Sequence, residues 1–365
     1  MSEAKTIVVK VGTSSITEAA GPALDHPSIG KLCADIGAVR ALGHRVVLVS
    51  SAAIAAGMAK LAVGERPRDF ESLQALSAVG QIELMRCYDQ YCEELGFHCG
   101  QVLLAPPDFF DRARYLRARS CIEQQWAFDV LPIVNENDAV ADDAIRFGDN
   151  DRIAALVAHL VQADLLVLLT DTPGLLTADP RVDEQASLIE EIQSIDREFE
   201  AMAGSSRSVM SQGGMASKLS AAKIASWSGV ETIIAAAHRP NVLLDAVTEV
   251  TGVGTLVRAR SERLSARKLW IAFALGSQGS LTVDAGAQQA LLKGGGSLLA
   301  VGLAGVNGDF VAGDAVEVAG PDGVVFAKGL AMFGSGELEA AIGEQDVEAI
   351  HRDDFVVLPD ALPSA

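Results

Sequence analysis

Two lysines in this chain stand where apolar strands and glycine turns would place an anion. Lys10 closes the apolar run Thr6–Val11 just before Gly12-Thr13-Ser14, and Lys218 lies one turn into a helical pattern that follows Gln212-Gly213-Gly214-Met215-Ala216-Ser217. Burying an unpaired ammonium is costly, so a lysine at the end of an apolar strand asks for an anion, and a phosphate is the natural one. Glycine turns let backbone N–H groups approach such an anion, and a helix N-terminus adds donors and a favourable dipole. Taken alone, Lys10 reads as a snorkelling strand-end lysine; its surroundings reverse that reading. The spacing is not the Gly-x-x-x-x-Gly-Lys-Ser/Thr of a P-loop, so any phosphate cradle here is of another design.

Other apolar runs also end in polar groups. The second ends in Ser50-Ser51, the fourth in Asn135-Glu136-Asn137-Asp138 and the fifth in Thr170-Asp171, while Gly148-Asp149-Asn150-Asp151 precedes a helical pattern. Ligands of open α/β sheets bind outside the carboxyl ends of the strands, which is where these groups fall. Ser51 on its own reads as an N-cap. The acids of the Gly148–Asp151 loop suit a substrate ammonium, a metal ion or the lysines themselves. Asp171-Thr172-Pro173-Gly174 mimics a GTPase element but has no Walker A loop to serve, and reads as a turn. The six histidines show no paired-ligand spacing, so no resident metal site is expected.

The elements that must position these residues alternate in βαβ fashion. Strands are expected at Thr6–Val11, Arg45–Val49, Gly100–Leu104, Val130–Val134, Leu165–Leu169 and Glu231–Ala236. Helices are expected at Ser28–Leu42, Ser72–Leu95, Phe110–Gln125, Arg152–Gln162 and Met215–Trp227. Strands of nearly uninterrupted Val, Ile and Leu belong to a parallel sheet covered on both faces. The expected fold is therefore α/β, an αβα sandwich around a mainly parallel sheet. Residues 1–260 form this domain, 261–276 a linker, and 277–365 a small β-rich domain with short strands between Gly, Asp and Asn turns.

Composition narrows the class. The 365 residues carry 29 Lys and Arg against 48 Asp and Glu, a formal charge of −19, which removes the attraction that binding to a phosphate backbone depends on. Five cysteines without paired spacing fit a reduced, cytoplasmic protein, and no signal peptide is expected. The apolar stretch Val46–Val63 contains Ser50, Ser51, Gly57 and Lys60, and reads as a strand followed by a helix of small residues, with no membrane span expected.

Val9–Ser14, Ser50–Gly57, Asn135–Val140, Gly148–Asp151, Thr170-Asp171 with Gly174-Leu175 and Thr177–Pro180, and Gly213-Gly214-Met215 with Lys218 occur in an order that resembles the amino acid kinase family, in its glutamate-phosphorylating branch. The resemblance covers nearly the whole chain and implies the amino acid kinase fold followed by a PUA domain. It implies ATP- and Mg2+-dependent phosphorylation of the γ-carboxylate of L-glutamate to glutamyl 5-phosphate, the first step towards proline. It also implies proline as feedback inhibitor and a homodimer or homotetramer. Carried over, Lys10 and Lys218 contact the transferred phosphoryl group, with Asp151 or Asp149 orienting them. Ser51, Asp138 and Asn150 match glutamate-binding positions. Lys10, Gly12, Thr170, Asp171, Gln212, Gly213, Gly214, Met215, Ala216, Ser217 and Lys218 match the nucleotide site.

Five positions depart from the family pattern: Ala52 for glycine, Arg146 for lysine, Leu176 for tyrosine, and Gln212 and Ser217 for threonine. Ala52 is expected to reduce glutamate affinity. Two alternatives are a related kinase acting on acetylglutamate, aspartate, carbamate or an isoprenoid phosphate, and an RNA-binding regulator acting through the PUA-like domain. Residues 277–365 hold three basic against thirteen acidic residues, which weighs against RNA.

Overall fold

The structure, a computed structural model, describes residues 3–109, 111–140, 150–178, 185–195, 214–261, 263–273, 275–294 and 296–358. Of the expected site residues, Asp149, Gln212 and Gly213 lie outside the described residues, as do Gly148, Arg146, Asp179 and Pro180. The chain divides into two units, Met1–Arg263 and Leu264–Ala365.

The first unit begins with β1 (Thr6–Val11), all six residues buried, then α1 (His26–Ala41), β2 (Arg45–Val49), α2 (Ala53–Lys60) and α3 (Phe70–Glu94). It continues with β3 (His98–Leu104), α4 (Arg112–Ala127), β4 (Val130–Glu136), α5 (Asn150–Leu160), β5 (Leu165–Thr170) and β6 (Glu191–Ile192). It closes with α6 (Met215–Trp227), β7 (Glu231–Ala236), α7 (Val242–Val247) and β8 (Thr255–Val257). The eight strands lie in the order β3-β4-β2-β1-β5-β7-β8-β6, every pair parallel except β7 with β8.

Strand β1 sits between β2 and β5, with Lys10 in register with Val49 and Leu168. Side chains alternate along a strand. Ile7, Val9 and Val11 therefore enter a core with Ile29, Leu32 and Ile36 of α1 and Leu84 and Tyr88 of α3. Lys10 turns to the other face, where α5 packs on β1. Each fully buried aliphatic side chain contributes about 1.5–3 kcal/mol, so the framework that carries Lys10 is held by many small, distributed terms.

Helices α2 and α3 cross at two glycines. A Cβ on Gly80 would lie 1.8 Å from the Ala53 carbonyl oxygen, and one on Gly57 would lie 2.0 Å from that of Leu76. Backbone touches backbone there, which brings the side chains that follow on α3 close to the strand ends. Asp69 starts α3 by accepting from the Ser72 N–H at 2.9 Å. The apolar stretch Val46–Val63 is β2 followed by α2, and no described helix is long and apolar enough to cross a membrane.

The second unit contains α8 (Ala266–Phe273), β9 (Gly279–Val283), α9 (Ala285–Gly294), β10 (Leu298–Leu299), β11 (Leu303–Gly308), β12 (Ala315–Ala319) and β13 (Val325–Leu330). Helix α10 (Ser335–Ala340), β14 (Glu348–Ile350) and β15 (Phe355–Val357) complete it. A five-stranded sheet, β11-β9-β12-β13-β15, and a pair, β10-β14, enclose a core with Leu281, Val316, Phe326 and Ile350. The stretch 261–276, expected as a linker, holds α8, whose Leu269 and Ile271 are buried and which packs on β13 and β15. Interleaved Arg267 and Lys268 conceal in sequence the short apolar face that makes it a helix.

Candidate active site

Asp151, on the first turn of α5, gathers Lys10, Lys218 and Ser217. Its Oδ1 lies 2.7 Å from Lys10 Nζ, and its Oδ2 lies 3.4 Å from Lys218 Nζ and accepts from Ser217 Oγ at 2.5 Å. All three charged side chains are buried. Burial works to raise the Asp151 carboxyl, but the charges of Lys10 and Lys218, with hydrogen bonds from Lys10 and Ser217, hold it below the usual carboxylate range. The acid also sits at a helix N-terminus, where the dipole favours negative charge. Ser217, in place of the family's usual threonine, keeps the hydroxyl that this contact needs.

Glycines border both lysines. Gly12 precedes a short 3-10 turn, Thr13–Ser15, and a Cβ added to it would lie 3.5 Å from Lys10 Nζ. Gly214 is the N-cap of α6, so Met215, Ala216, Ser217 and Lys218 occupy that helix's first turn. A 13-residue helix thus presents its N-terminus beside two ammonium groups, an arrangement suited to a polyanion.

The neighbouring residue, Asn150, opens a second set of contacts. Its Nδ2 donates to Ser51 Oγ at 3.2 Å and to Asn135 Oδ1 at 3.0 Å. Asn135 and Glu136 belong to β4, which runs two residues beyond its expected end because they stay in register with Leu103 and Leu104 of β3, with Asn135 Nδ2 donating to Gln81 Oε1. Asp138 forms a 3-10 turn just after it and accepts from Ser77 Oγ at 2.5 Å. Burial pushes the Asp138 carboxyl up, against the Ser77 hydrogen bond and the charge of Arg66.

Ser51 does not cap α2. The N-cap is Ala52, which takes the left-handed conformation (φ 79°, ψ 8°) that favours glycine. A non-glycine residue there is strained by about 1–2 kcal/mol. Ala52→Gly is accordingly expected to raise the thermal midpoint by about 2–4 °C for roughly 1 kcal/mol gained, and to lower the KM for the acceptor. Calorimetry and steady-state kinetics check the two halves, and an unmoved midpoint would remove the strain from consideration.

Thr170 ends β5, and its Oγ1 donates to Asp171 Oδ1 at 3.0 Å. Both line a cavity of about 290 Å3 with Ser14, Ser15, Lys31 and His238. Val11 and Leu169 place that cavity on the α1 face of the sheet, opposite Lys10, and its lining does not include Lys218 or Asp151. These contacts join Lys10, Lys218, Ser217 and Asp151, and separately Ser51 and Asn150. They place Asp138 with Ser77, and Thr170 with Asp171. Ser77 and Gln81, which bonds Asn135, were not anticipated from the sequence. Their signal is a polar pair four residues apart on the otherwise apolar face made by Leu76, Leu84 and Tyr88.

The chain belongs to the amino acid kinase family, whose model matches residues 5–236, and residues 279–352 match the PUA domain. Its relatives include proteins named glutamate 5-kinase from Burkholderia multivorans and Burkholderia cenocepacia, each 44% identical over 98% of this chain and 99% of their own length. A carbamate kinase from Giardia lamblia bound to AMP-PNP shares the fold, with a TM-score of 0.52 at 18% identity, over 71% of this chain and 100% of that one.

Proposed function

We propose that this chain transfers the γ-phosphoryl group of ATP to the γ-carboxylate of L-glutamate, giving glutamyl 5-phosphate, the first step towards proline. The observation that carries the reading is the buried centre in which Lys10 and Lys218 meet Asp151 at 2.7 and 3.4 Å, one residue from Asn150 and its Ser51 contact. Full-length similarity to proteins named glutamate 5-kinase favours glutamate over the other acceptors.

The chemistry needs no general base. A carboxylate with a reference pKa of about 4.3 is already an ionised nucleophile at neutral pH, so the difficulty is bringing one anion against another. Catalysis is then positioning and charge neutralisation. Lys10 and Lys218 contact the transferred group, the Gly12 turn and the α6 N-terminus supply backbone donors, and Asp151 holds the two amines in place. Asp149, the other acid of that loop, remains the alternative orienting group. Ser51, Asn150 and Asp138 hold glutamate, with Asp138 facing its α-ammonium. Thr170, Asp171 and Gln212–Lys218 serve the nucleotide. Magnesium would enter with ATP as the MgATP substrate and would supply further neutralisation of phosphate charge.

Proline as feedback inhibitor and a homodimeric or homotetrameric assembly belong to the same proposal. RNA binding by the second unit is disfavoured by its three basic against thirteen acidic residues beyond position 276. The test is an ATP- and magnesium-dependent hydroxamate assay comparing glutamate with acetylglutamate, aspartate and carbamate, with and without proline. Glutamate is expected to be the preferred acceptor and proline to suppress it; preference for another acid would replace the reading.

A further inference from the structure

Gln81 lies on α3, outside every strand-end motif, and is 7% exposed. Its Nε2 donates to Gln101 Oε1 at 3.0 Å, and its Oε1 accepts from Asn135 Nδ2 at 2.9 Å. Asn135 Oδ1 in turn accepts from the Glu136 backbone N–H at 2.8 Å and from Asn150 Nδ2 at 3.0 Å. The backbone fixes the polarity of this row. An N–H is always a donor, so the Asn135 atom facing it is oxygen, and each further amide then has one orientation that satisfies its neighbour. At the inner end Asn150 uses Nδ2 on Asn135 and Ser51, leaving its Oδ1 buried without a hydrogen-bond partner among the described residues. A buried acceptor lacking a donor is destabilising until something supplies one.

We infer that Gln81 is a positioning residue: by bracing the Asn135 side chain in the orientation that the Glu136 N–H sets, it holds the Asn150 amide in place so that Oδ1 accepts a hydrogen bond from the α-ammonium of the acceptor substrate. The inference rests on the reading of this site as glutamate-binding. It deepens that reading into a selection rule, in which the site takes α-amino dicarboxylates in preference to dicarboxylates without the amine. Gln81 acts only through Asn135 and Asn150, and Gln101, at the exposed end, satisfies its remaining donor.

Product formation is measured for the wild-type protein, Gln81→Met and Gln81→Glu, with glutarate as competitive inhibitor. Gln81→Met removes both polar atoms at similar volume. It is expected to raise the glutamate KM about tenfold, the equivalent of one hydrogen bond, with kcat held within about twofold. The inhibition constant of glutarate, which has no amine, is expected to stay unchanged. Gln81→Glu restores KM to within about threefold, because a neutral acid accepts from Asn135 through its carbonyl and donates to Gln101 through its hydroxyl. Gln81→Leu is read in the same way if Gln81→Met does not fold.

A methionine variant with the wild-type KM, a parallel loss of glutarate affinity, or failure of the glutamate variant to restore KM overturns the relay alone, provided that the wild-type protein turns over glutamate. Absence of glutamate-dependent product from the wild-type protein overturns the reading of the site, and the relay with it.

Discussion

Lys218→Ala is expected to lower kcat by about 10²–10³-fold while the glutamate KM moves by much less. In the proposed reaction this amine meets charge that grows on the transferred phosphoryl group, so its contribution is largest in the transition state. The substitution leaves the site otherwise assembled. Asp151 keeps Lys10 at 2.7 Å and Ser217 at 2.5 Å, and so stays ionised and paired. Steady-state kinetics with the hydroxamate assay, alongside a thermal midpoint to show that the fold persists, measures the effect. An unchanged kcat would remove Lys218 from the transfer step, and a rise in KM alone would make it a ground-state contact.

Gly80→Ala is expected to be the most damaging single methyl group in the first unit. The added carbon would fall 1.8 Å from the Ala53 carbonyl oxygen and 2.3 Å from the Gly57 nitrogen. Both are backbone atoms, so no side chain can swing aside and the helices must separate. Overpacking of this kind costs about 3 kcal/mol or more, which at about 2–4 °C per kcal/mol for a unit of this size lowers the midpoint by roughly 6–12 °C. Activity is expected to fall with it, because Ser77 and Gln81 ride on the same helix and contact Asp138 and Asn135. Gly64→Ala is the control, since a Cβ there meets nothing within 4 Å. Equal midpoints for the two variants would refute the account of the crossing.

Much of this arrangement is legible in the residues. Strands β1, β2 and β7 and helix α6 have the bounds that their patterns predict, because a strand buried on both faces reads as an uninterrupted apolar run. Polar residues end such a run on paper, although Asn135 and Glu136 continue β4 in space by pairing with Leu103 and Leu104 of β3. Strands β6 and β8, of two and three residues, are too short for any period to emerge. Lys10, Lys218 and Asp151 were legible as candidates because each sits at a glycine turn or a helix start, but the pairing of the lysines with this loop was one option among several and was implied, with Asp149 and Asp151 as alternatives, only by the family resemblance. Ser77 and Gln81 were not legible, because a polar residue inside a long helix announces no ligand, and its meaning depends on which strand lies opposite. The left-handed backbone at Ala52 was hidden too, since alanine carries none of glycine's conformational signal, and without it Ser51 passed for a cap.

In the proposed reaction, helix α5 contributes adjacent residues to two chemically different jobs. Asn150 faces Ser51 and Asn135, and Asp151 the lysines, about 100° apart around one rigid turn. The partners of Asn150 come from β4 and from the turn before α2, whereas those of Asp151 come from β1 and α6. The enzyme is therefore modular at the scale of a single peptide unit. Under that reading, changing the lateral partners of Asn150 is expected to alter the choice of acceptor and leave the contacts of Asp151 with the lysines in place. One fold can in this way be adapted to many acceptors without rebuilding its centre.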